Sequence, residues 1–257
     1  NKQNLTNMTN KLYPRGPISG YSFYETQNLN LGLGHRRLSI LDLSARGHQP
    51  MQFEHLEIVY NGEVYNFKEI RAELKKLNYS FRSNGDTEVI LKAYHKWGIK
   101  AVDKFIGMFA IGIYDKKEQK FILVRDRAGV KPCYYYNADR IFMFSSELKS
   151  FHENDKFKKV INKDALALYM QHGYIPEPHS IFENTHKLKA GHHLEFDLKT
   201  QKIEELKYWD VVDFYNKPKL DISEHEGVYE VEKLFKSAFE YRMISDVPVG
   251  IFLSGGY

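Results

Sequence analysis

Residues 107–126, GMFAIGIYDKKEQKFILVRD, decide the fold class of this 257-residue chain. The runs Gly107–Asp115 and Lys120–Asp126 are rich in β-branched and aromatic residues, and the polar segment 116–119 separates them. Such a pattern predicts a β-hairpin. It recurs in two further pairs of runs, at 133–136 with 140–145 and at 193–197 with 203–209.

Helical patterns precede, separate and follow these hairpins. Apolar residues three or four positions apart predict helices at 1–12, 66–77, 87–97, 163–171 and 230–243. Asp86 stands where the N-terminal cap of one of them is expected. The β-rich run Glu57–Asn61 is followed by Gly62, which predicts a turn at that point. Hairpins with interposed helices indicate an α+β sheet protein.

The composition excludes several classes of protein. With 42% hydrophobic and 27% charged residues the chain is globular, and its net charge of +4 is spread along the sequence, which does not indicate a nucleic-acid-binding surface. No apolar run approaches the roughly 20 residues of a membrane helix. The single cysteine, Cys133, rules out an internal disulfide, is typical of the reducing cytoplasm, and is interpreted as a small buried hydrophobe.

Charged and amide residues in the first third of the chain suit the binding of a free amino acid. Its carboxylate needs a cation, which Arg37 can supply through two parallel hydrogen bonds. Its ammonium needs an anion, and Glu63 and Asp86 are candidates. The Asn61 side chain and the Gly62 amide can donate to an oxyanion. Taken singly, these residues suit a surface strand, a hairpin turn and a helix cap, and only their combination in order favours a site.

A second motif ends the sequence. The apolar run 247–253 predicts a buried strand, and Ser254-Gly255-Gly256 follows it as a glycine loop. Glycines let a backbone approach phosphate oxygens, and successive N–H groups can bind an anion. The motif lacks the Gly-Lys-Ser/Thr of a Walker A loop, and as a bare tripeptide it suits a plain turn better than a phosphate site.

Taken together, these stretches resemble the glutamine-hydrolysing asparagine synthetase family, a group of class II glutamine amidotransferases. The matching motifs follow the family order across nearly the whole chain: RGP at 15–17, HRRLSILD at 35–42, YNGEVYN at 60–66, SNGDTE at 83–88, GMFA at 107–110, RDRAGVKP at 125–132, SSELK at 145–149 and SDVPVGIFLSGG at 245–256.

The resemblance implies a fold and a domain organisation. The expected fold is the αββα sandwich of the N-terminal-nucleophile hydrolases, followed by the start of an α/β domain with a pyrophosphatase-type ATP loop. We therefore expect a glutamine amidotransferase domain at 1–212, incomplete at its N-terminal end. A linker at 213–223 and the truncated beginning of the ATP-binding domain at 224–257 would follow it.

The resemblance also implies the roles of particular residues. The oxyanion hole would consist of Asn61 and Gly62, and no metal ligand is assigned in the chain. The expected glutamine-binding residues are Arg37, Leu38, Ser39, Ile40, Leu41, Asn61, Gly62, Glu63 and Asp86. The expected ATP-binding residues are Leu253, Ser254, Gly255 and Gly256, and Mg²⁺ would accompany the nucleotide.

Two departures from the family pattern concern the nucleophile and the loop after it. The family's nucleophile is a cysteine at the mature N-terminus, and this chain does not contain it. Cys133 lies mid-chain and cannot replace it. The family pattern has His and Asp beside Arg-Gly-Pro, where this chain has Pro14 and Ile18, and the loop is short before Gly20. A joined gap and a degenerate loop both explain this difference.

The implied activity is that of a cytoplasmic amidotransferase ligase. Glutamine hydrolysis would supply ammonia, which amidates a carboxylate activated by ATP; aspartate is the default acceptor, and a sugar acid or another carboxylate is the alternative. An ammonia-dependent synthetase and a non-catalytic relative, each with an inactive glutaminase domain, are the competing interpretations. The expected partners are these small molecules rather than a nucleic acid or a membrane, and a homodimer is allowed.

Overall fold

The computed structural model describes residues 1–25, 30–38, 44–244, 248, 250 and 255. Its α-helices are α1 (Lys2–Asn10), α2 (Phe67–Lys76), α3 (Thr87–Trp97), α4 (Leu148–Phe151), α5 (Lys163–His172), α6 (Val211–Tyr215) and α7 (Glu224–Arg242). Its strands are β1 (Ile18–Glu25), β2 (Asn30–Arg37), β3 (Met51–Phe53), β4 (Leu56–Val64), β5 (Gly107–Asp115), β6 (Lys120–Arg125), β7 (Tyr134–Ala138), β8 (Ile141–Ser145), β9 (Thr185–Lys187), β10 (His192–Asp197) and β11 (Ile203–Lys207).

The centre of the fold is a six-stranded antiparallel sheet in the order β11-β10-β6-β5-β4-β3. Its longest pairing joins β4 to β5, from Leu56 opposite Asp115 to Val64 opposite Gly107. Strand β10 pairs with β6, so the late hairpin of β10 and β11 is added to the edge of a sheet built from residues 51–125. This sheet forms the platform from which β4 presents its side chains.

One face of the sheet packs against helices α2 and α3. Leu56, Ile58 and Tyr60 alternate along β4 and are buried in the hydrophobic core that these helices complete with Leu74 and Ile90. Alternation places successive side chains on opposite faces of a strand. Val59, between two of those residues, is therefore buried in a different core, on the other face of the sheet.

A second, smaller layer covers that other face. It consists of the antiparallel pair β1-β2 and the three-stranded sheet β8-β7-β9. Leu33 of β2 and Tyr135 of β7 pack there with Leu123 and Leu194 of the large sheet. Helices α1 and α4 form the outermost layer, where Met8 contacts a third core that contains Phe151. The layers run helix, sheet, sheet, helix, which confirms the predicted αββα fold class.

The first helix is bound to residues far along the chain. The Asn4 side chain donates to Asp155 at 2.6 Å, and the Ser150 hydroxyl donates to the Met8 carbonyl at 3.0 Å. Arg15 forms an ion pair with Glu147 at 2.9 Å. The outer layer is therefore closed by contacts between segments about 140 residues apart.

The three predicted hairpins are confirmed, as are helices at the predicted positions. One prediction needs correction. The chain does not turn at Gly62, because β4 continues to Val64 and stays paired with β5 throughout. Helix α6, capped by Asp210, extends into the proposed linker 213–223 as far as Tyr215. In the segment 247–256, only Pro248, Gly250 and Gly255 lie within the described residues.

None of the described helices combines the length and the apolar character that crossing a bilayer demands. Helix α7 is long, but it carries acidic and basic residues along its length.

Candidate active site

A single cavity of about 1150 Å³ collects the predicted glutamine-binding residues that the structure describes. It lies beside the end of β2, the middle of β4 and the start of α3. Its walls include all six of them: Arg37, Leu38, Asn61, Gly62, Glu63 and Asp86. The other three expected members of the pocket, Ser39, Ile40 and Leu41, lie outside the described residues.

Asp86 is a buried carboxylate held by two donors from β4. The Tyr60 hydroxyl donates to its Oδ2 at 2.7 Å, and the Val64 amide donates to the same oxygen at 3.0 Å. Asp86 occupies the cap position of α3, as predicted, but its side chain makes no capping hydrogen bond. Burial raises the pKa of the Asp86 carboxyl, and hydrogen bonds from Val64 and Tyr60 oppose that rise. The carboxylate is thus held against β4 on the wall of the cavity.

Tyr60 is fixed from both sides by side chains that the motif analysis missed. The Gln49 side-chain oxygen accepts from the Tyr60 amide at 2.6 Å, and His35 Nε2 lies 2.9 Å from the Tyr60 carbonyl. Burial lowers the pKa of His35 to about 4, with Arg37 adding to the effect and the Tyr60 carbonyl opposing it. His35 is therefore neutral at pH 7, and its Nε2 carries the proton because a carbonyl only accepts. Only the packing of β2 against β4 in the folded chain identifies this support.

Asn61 and Gly62 bring two donors to the cavity from the middle of β4. The Asn61 Nδ2 atom is buried and has no hydrogen-bond partner in the described part of the chain. Gly62 has φ of +152°, and a Cβ added there would lie 2.0 Å from the Met108 carbonyl oxygen. No other residue type fits so close to β5. The Asn61 side chain can donate a hydrogen bond to a ligand, and the Gly62 backbone lies beside it. This arrangement suits the binding of an oxyanion.

Arg37 ends β2 with its guanidinium against a glycine. Its Nη1 donates to the Ser44 carbonyl at 3.2 Å, and a Cβ on Gly47 would lie 2.3 Å from its Nη2. The side chain is 9% exposed. A Cβ on Gly16 would lie 2.3 Å from the Arg37 carbonyl carbon, so the Arg-Gly-Pro motif packs against the Arg37 backbone. A buried cation is thereby positioned on the wall of the cavity.

Glu63 is a second carboxylate in the cavity, with Lys131 nearby. Burial raises the pKa of Glu63, the charge of Asp86 adds to that rise, and Lys131 opposes it. Lys131 also lines the cavity, and its amide donates to Asp126 at 2.9 Å. The carboxylates of Asp86 and Glu63 and the cations of Arg37 and Lys131 therefore share the wall of this cavity.

Cys133 is a buried residue of the core between the sheets, as predicted. Burial raises the pKa of its thiol to about 12, although Arg125 acts in the opposite direction. A thiol in that environment stays protonated at pH 7 and is a poor nucleophile.

The expected ATP loop is almost entirely outside the described residues, which include only Gly255 from it. Gly255 is exposed and has φ of +72°, a conformation that glycine favours. Among the residues that the structure describes, no group of three or more His, Cys, Asp or Glu side chains could hold a metal ion.

Comparison with family models assigns the chain. Residues 1–209 match the model of the glutamine amidotransferase domain. The chain belongs to the glutamine amidotransferase family. Residues 230–257 match the asparagine synthase family model, so a second family segment follows the first in this chain.

Similar proteins confirm the resemblance to glutamine-hydrolysing asparagine synthetases. A Methanocaldococcus jannaschii protein with the provisional name asparagine synthetase [glutamine-hydrolyzing] 2 is 44% identical, over 99% of this chain and 52% of its own length. Asparagine synthetase [glutamine-hydrolyzing] 2 of Bacillus subtilis is 36% identical, over 98% of this chain and 34% of its own. This amidotransferase chain thus spans about half of the first relative and a third of the second.

Solved structures support the fold alone. The glutamine phosphoribosylpyrophosphate amidotransferase of Bacillus subtilis matches 69% of this chain and 35% of its own, with a TM-score of 0.51 and 16% identity. At that identity the likeness concerns the arrangement of layers, which agrees with the sandwich described above.

Proposed function

We propose that the complete protein is a glutamine-dependent amidotransferase of the asparagine synthetase type. The single observation that carries this proposal is the shared cavity: a buried guanidinium, that of Arg37, and a buried carboxylate, that of Asp86, line the same space. A free α-amino acid has one end to match each group.

Glutamine would bind in this cavity by its two charged ends. Asp86 would accept from the ammonium, with Glu63 nearby, and Arg37 would donate to the carboxylate. The side-chain carbonyl oxygen would then lie near Asn61 Nδ2 and the Gly62 amide. These donors would stabilise the negative charge that develops on that oxygen when a nucleophile attacks.

The nucleophile would be the N-terminal cysteine of the complete protein, as in the family that the chain resembles. Its thiolate would attack the carboxamide carbon, and the C–N bond would break as ammonia leaves with a proton. Water would hydrolyse the resulting thioester to glutamate and restore the thiol. Within this chain, Asn61, Gly62, Arg37 and Asp86 would bind and orient the substrate.

The ammonia would react in the second domain with a carboxylate activated by ATP. Formation of an acyl-adenylate releases pyrophosphate, and ammonia then displaces AMP to give an amide. Leu253, Ser254, Gly255 and Gly256 would contact the nucleotide, and Mg²⁺ would balance the phosphate charge. Aspartate is the proposed acceptor, supported by the names of the relatives, and a sugar acid is the alternative.

The substitution Asp86→Asn in the complete protein tests this function. It removes the anion for the ammonium and preserves the shape, so we expect the KM for glutamine to rise about tenfold or more. AMP formation with free ammonia should be unchanged, because ammonia bypasses the cavity. The measurements are glutamate release and AMP release.

Three other outcomes have distinct meanings for this test. Equal loss with glutamine and with ammonia would contradict the assignment of the cavity. Wild-type protein that uses ammonia and never glutamine would favour the ammonia-dependent synthetase. Wild-type protein that releases no AMP with either donor, across a panel of carboxylates, would favour the non-catalytic relative.

A further inference from the structure

The segment that leads into Asp86 is held by the first turn of the helix that follows it. Glu88 is buried, and both of its oxygens accept from the Arg82 amide, at 3.1 and 3.0 Å. Its Oε2 also accepts from the amide and the hydroxyl of Ser83, each at 2.7 Å. One carboxylate thus fixes the amides of two consecutive residues, Arg82 and Ser83, at the edge of the cavity.

Glu88 is kept ionised by a buried lysine one turn along α3. Lys92 Nζ lies 2.6 Å from Glu88 Oε1, and it also donates to the Ser80 carbonyl. Burial alone would raise the pKa of Glu88, but hydrogen bonds from Lys92 and Ser83 lower it. A buried ion pair contributes little net stability compared with apolar residues of the same size. Its presence here therefore suggests a requirement for conformational precision.

The same segment is held from its opposite side by helix α2. Arg71 Nη1 donates to the Ser83 carbonyl and Nη2 to the Gly85 carbonyl, both at 2.8 Å. Its guanidinium also lies 4.7 Å from the centre of the Phe81 ring. Arg71 binds carbonyls while Glu88 binds amides, so the two side chains satisfy both kinds of backbone group in residues 82–85.

We propose that Arg71 and Glu88 are positioning residues that set the affinity for glutamine by fixing the backbone of residues 82–85. This inference rests on the function proposed above. Within the described part of the chain neither side chain lines the cavity of about 1150 Å³, whereas Ser83, Gly85 and Asp86 do. Rotation of the segment would turn the Asp86 carboxylate away from Tyr60 and from the ammonium of the substrate. Displacement of a binding group by about 1 Å is enough to cost a large factor in rate.

Glu88→Gln in the complete protein is the first test. The variant keeps the shape, but its NH₂ group faces donors in either orientation. In the place of Oε1 it meets Lys92 Nζ, and in the place of Oε2 it leaves the Ser83 amide without an acceptor. We expect the KM for glutamine to rise about tenfold, with kcat for glutamate release changed less than about threefold and AMP formation from ammonia unchanged. The matched control is Glu73→Gln on α2. It alters the exposed ion pair between Glu73 and Lys104 and should leave the KM for glutamine unchanged.

Arg71→Lys is the second test, chosen because it retains the charge and loses the two-pronged contact. It should also raise the KM for glutamine. If Glu88→Gln does not fold, the result for Arg71→Lys alone tests the positioning role. The proposal is overturned if both folded variants bind glutamine like wild type, or if each loses activity equally with glutamine and ammonia as its melting temperature falls.

Asp86→Asn, measured in parallel, separates this proposal from the proposed function. If Asp86→Asn raises the KM for glutamine and neither Glu88→Gln nor Arg71→Lys does, only the positioning role fails. If Asp86→Asn leaves the KM unchanged, the glutamine site itself is wrong and the positioning role fails with it.

Discussion

At the scale of single residues, the candidate site depends on the buried carboxyl group of Asp86. Asp86 is only 6% exposed, and its charge is stabilised by the Tyr60 hydroxyl and the Val64 amide. Hydrogen bonds to the charged form lower a carboxyl pKa, whereas burial raises it. The balance between these two effects decides the pH range in which an ammonium can be bound.

Tyr60→Phe shifts that balance, because it removes one donor to Asp86. The pKa of the Asp86 carboxyl rises further, so the protonated form, which cannot pair with an ammonium, persists to higher pH. We expect the KM for glutamine to increase as the pH falls in both proteins, and this increase to begin at a higher pH in the variant. Steady-state glutamate release between pH 5 and 8, in the complete protein, measures it.

Tyr79→Phe serves as the control for that experiment. The Tyr79 hydroxyl lies 2.8 Å from His95 Nδ1, away from the cavity, so its removal should leave the pH profile for glutamine unchanged. Superimposable profiles for Tyr60→Phe and wild type would show that the hydroxyl does not tune Asp86.

His35 makes the stability of the fold sensitive to mild acid. Its pKa falls from 6.5 to about 4 in the native state, chiefly through burial. Because the unfolded chain takes up the proton first, the contribution of this residue is complete above pH 6.5 and is lost as the pH falls toward 4. His35→Gln still donates to the Tyr60 carbonyl and does not titrate, so it removes this dependence.

Denaturant unfolding at pH 7 and at pH 5 measures the effect of His35. Wild type should lose on the order of 1–2 kcal/mol more than His35→Gln between the two values. Identical losses in the two proteins would mean that the imidazole is as easily protonated in the native state as in the unfolded one.

At the scale of secondary structure, β4 serves two cores and the cavity at once. Its early residues alternate between the helix-facing core and the core between the sheets, and Asn61 and Gly62 follow in the same paired strand. A shift of the strand by one residue would exchange the two faces. The precise register of β4 with β5 is therefore a condition for the site.

Gly62→Ala tests this dependence on the register. The added methyl would lie 2.0 Å from the Met108 carbonyl oxygen, on a backbone with φ of +152°. We expect a loss of at least about 3 kcal/mol in the free energy of unfolding, or displacement of β4 with loss of glutamine hydrolysis. Gly227→Ala is the contrasting change. Gly227 lies within helix α7, and the nearest atom to an added Cβ there is Ile222 Cδ1, at 3.9 Å.

Urea titration of both variants provides the comparison. Gly227→Ala should stabilise α7 by up to about 1 kcal/mol, since alanine favours a helix more than glycine does. A cost below about 1 kcal/mol for Gly62→Ala, with activity retained, would contradict the requirement for glycine in β4.

Much of this secondary structure could be predicted from the sequence, and the errors have physical causes. The hairpin of β5 and β6 was predictable because its pairing is local, whereas the pairing of β10 with β6 joins segments far apart and leaves no local signal. Gly62 was expected in a turn, but its glycine is needed for a close approach between strands. Asp86 occupies the cap position of α3 as expected, but the hydrogen bond from the Tyr60 hydroxyl to its side chain depends on a contact that only the fold creates.

The supporting residues of the site could not be predicted at all. Gln49, Arg71 and Glu88 act on backbone groups that only the folded chain brings near them. As single letters in the sequence they resemble ordinary polar residues of a strand end or a helix. The ligand-facing residues were found through the family motifs, and their individual roles remain predictions.

At the scale of the whole molecule, the outer layer depends on the packing of Phe151. This side chain is fully buried in the core that α1 and α4 share. Phe151→Ala should cost about 3–5 kcal/mol and should loosen α1 before α3. Hydrogen exchange read helix by helix measures this order, with Tyr215→Ala, at a side chain 86% exposed, as the neutral control.

An equal loss of protection in α1 and α3 on substitution of Phe151 would contradict this expectation. It would mean that the layers unfold as one unit. The hydrogen exchange of helix α7 can be compared with that of α1 and α3 in the same experiment. Its last turn contacts α2 through the Tyr241 hydroxyl, which lies 2.8 Å from Glu69.

The tie between α1 and residues 147–155 has a consequence for biosynthesis. Residues 1–15 leave the ribosome long before residues 147–155 exist, and at about 5–20 residues per second the delay is roughly 7–28 s. Throughout that interval Met8 lacks the core that contains Phe151, although Leu5 can already pack beside Gly32 of β2. Helix α1 is therefore synthesised before residues 147–155 but can complete its packing only after them. The order of assembly is thus the reverse of the order of translation.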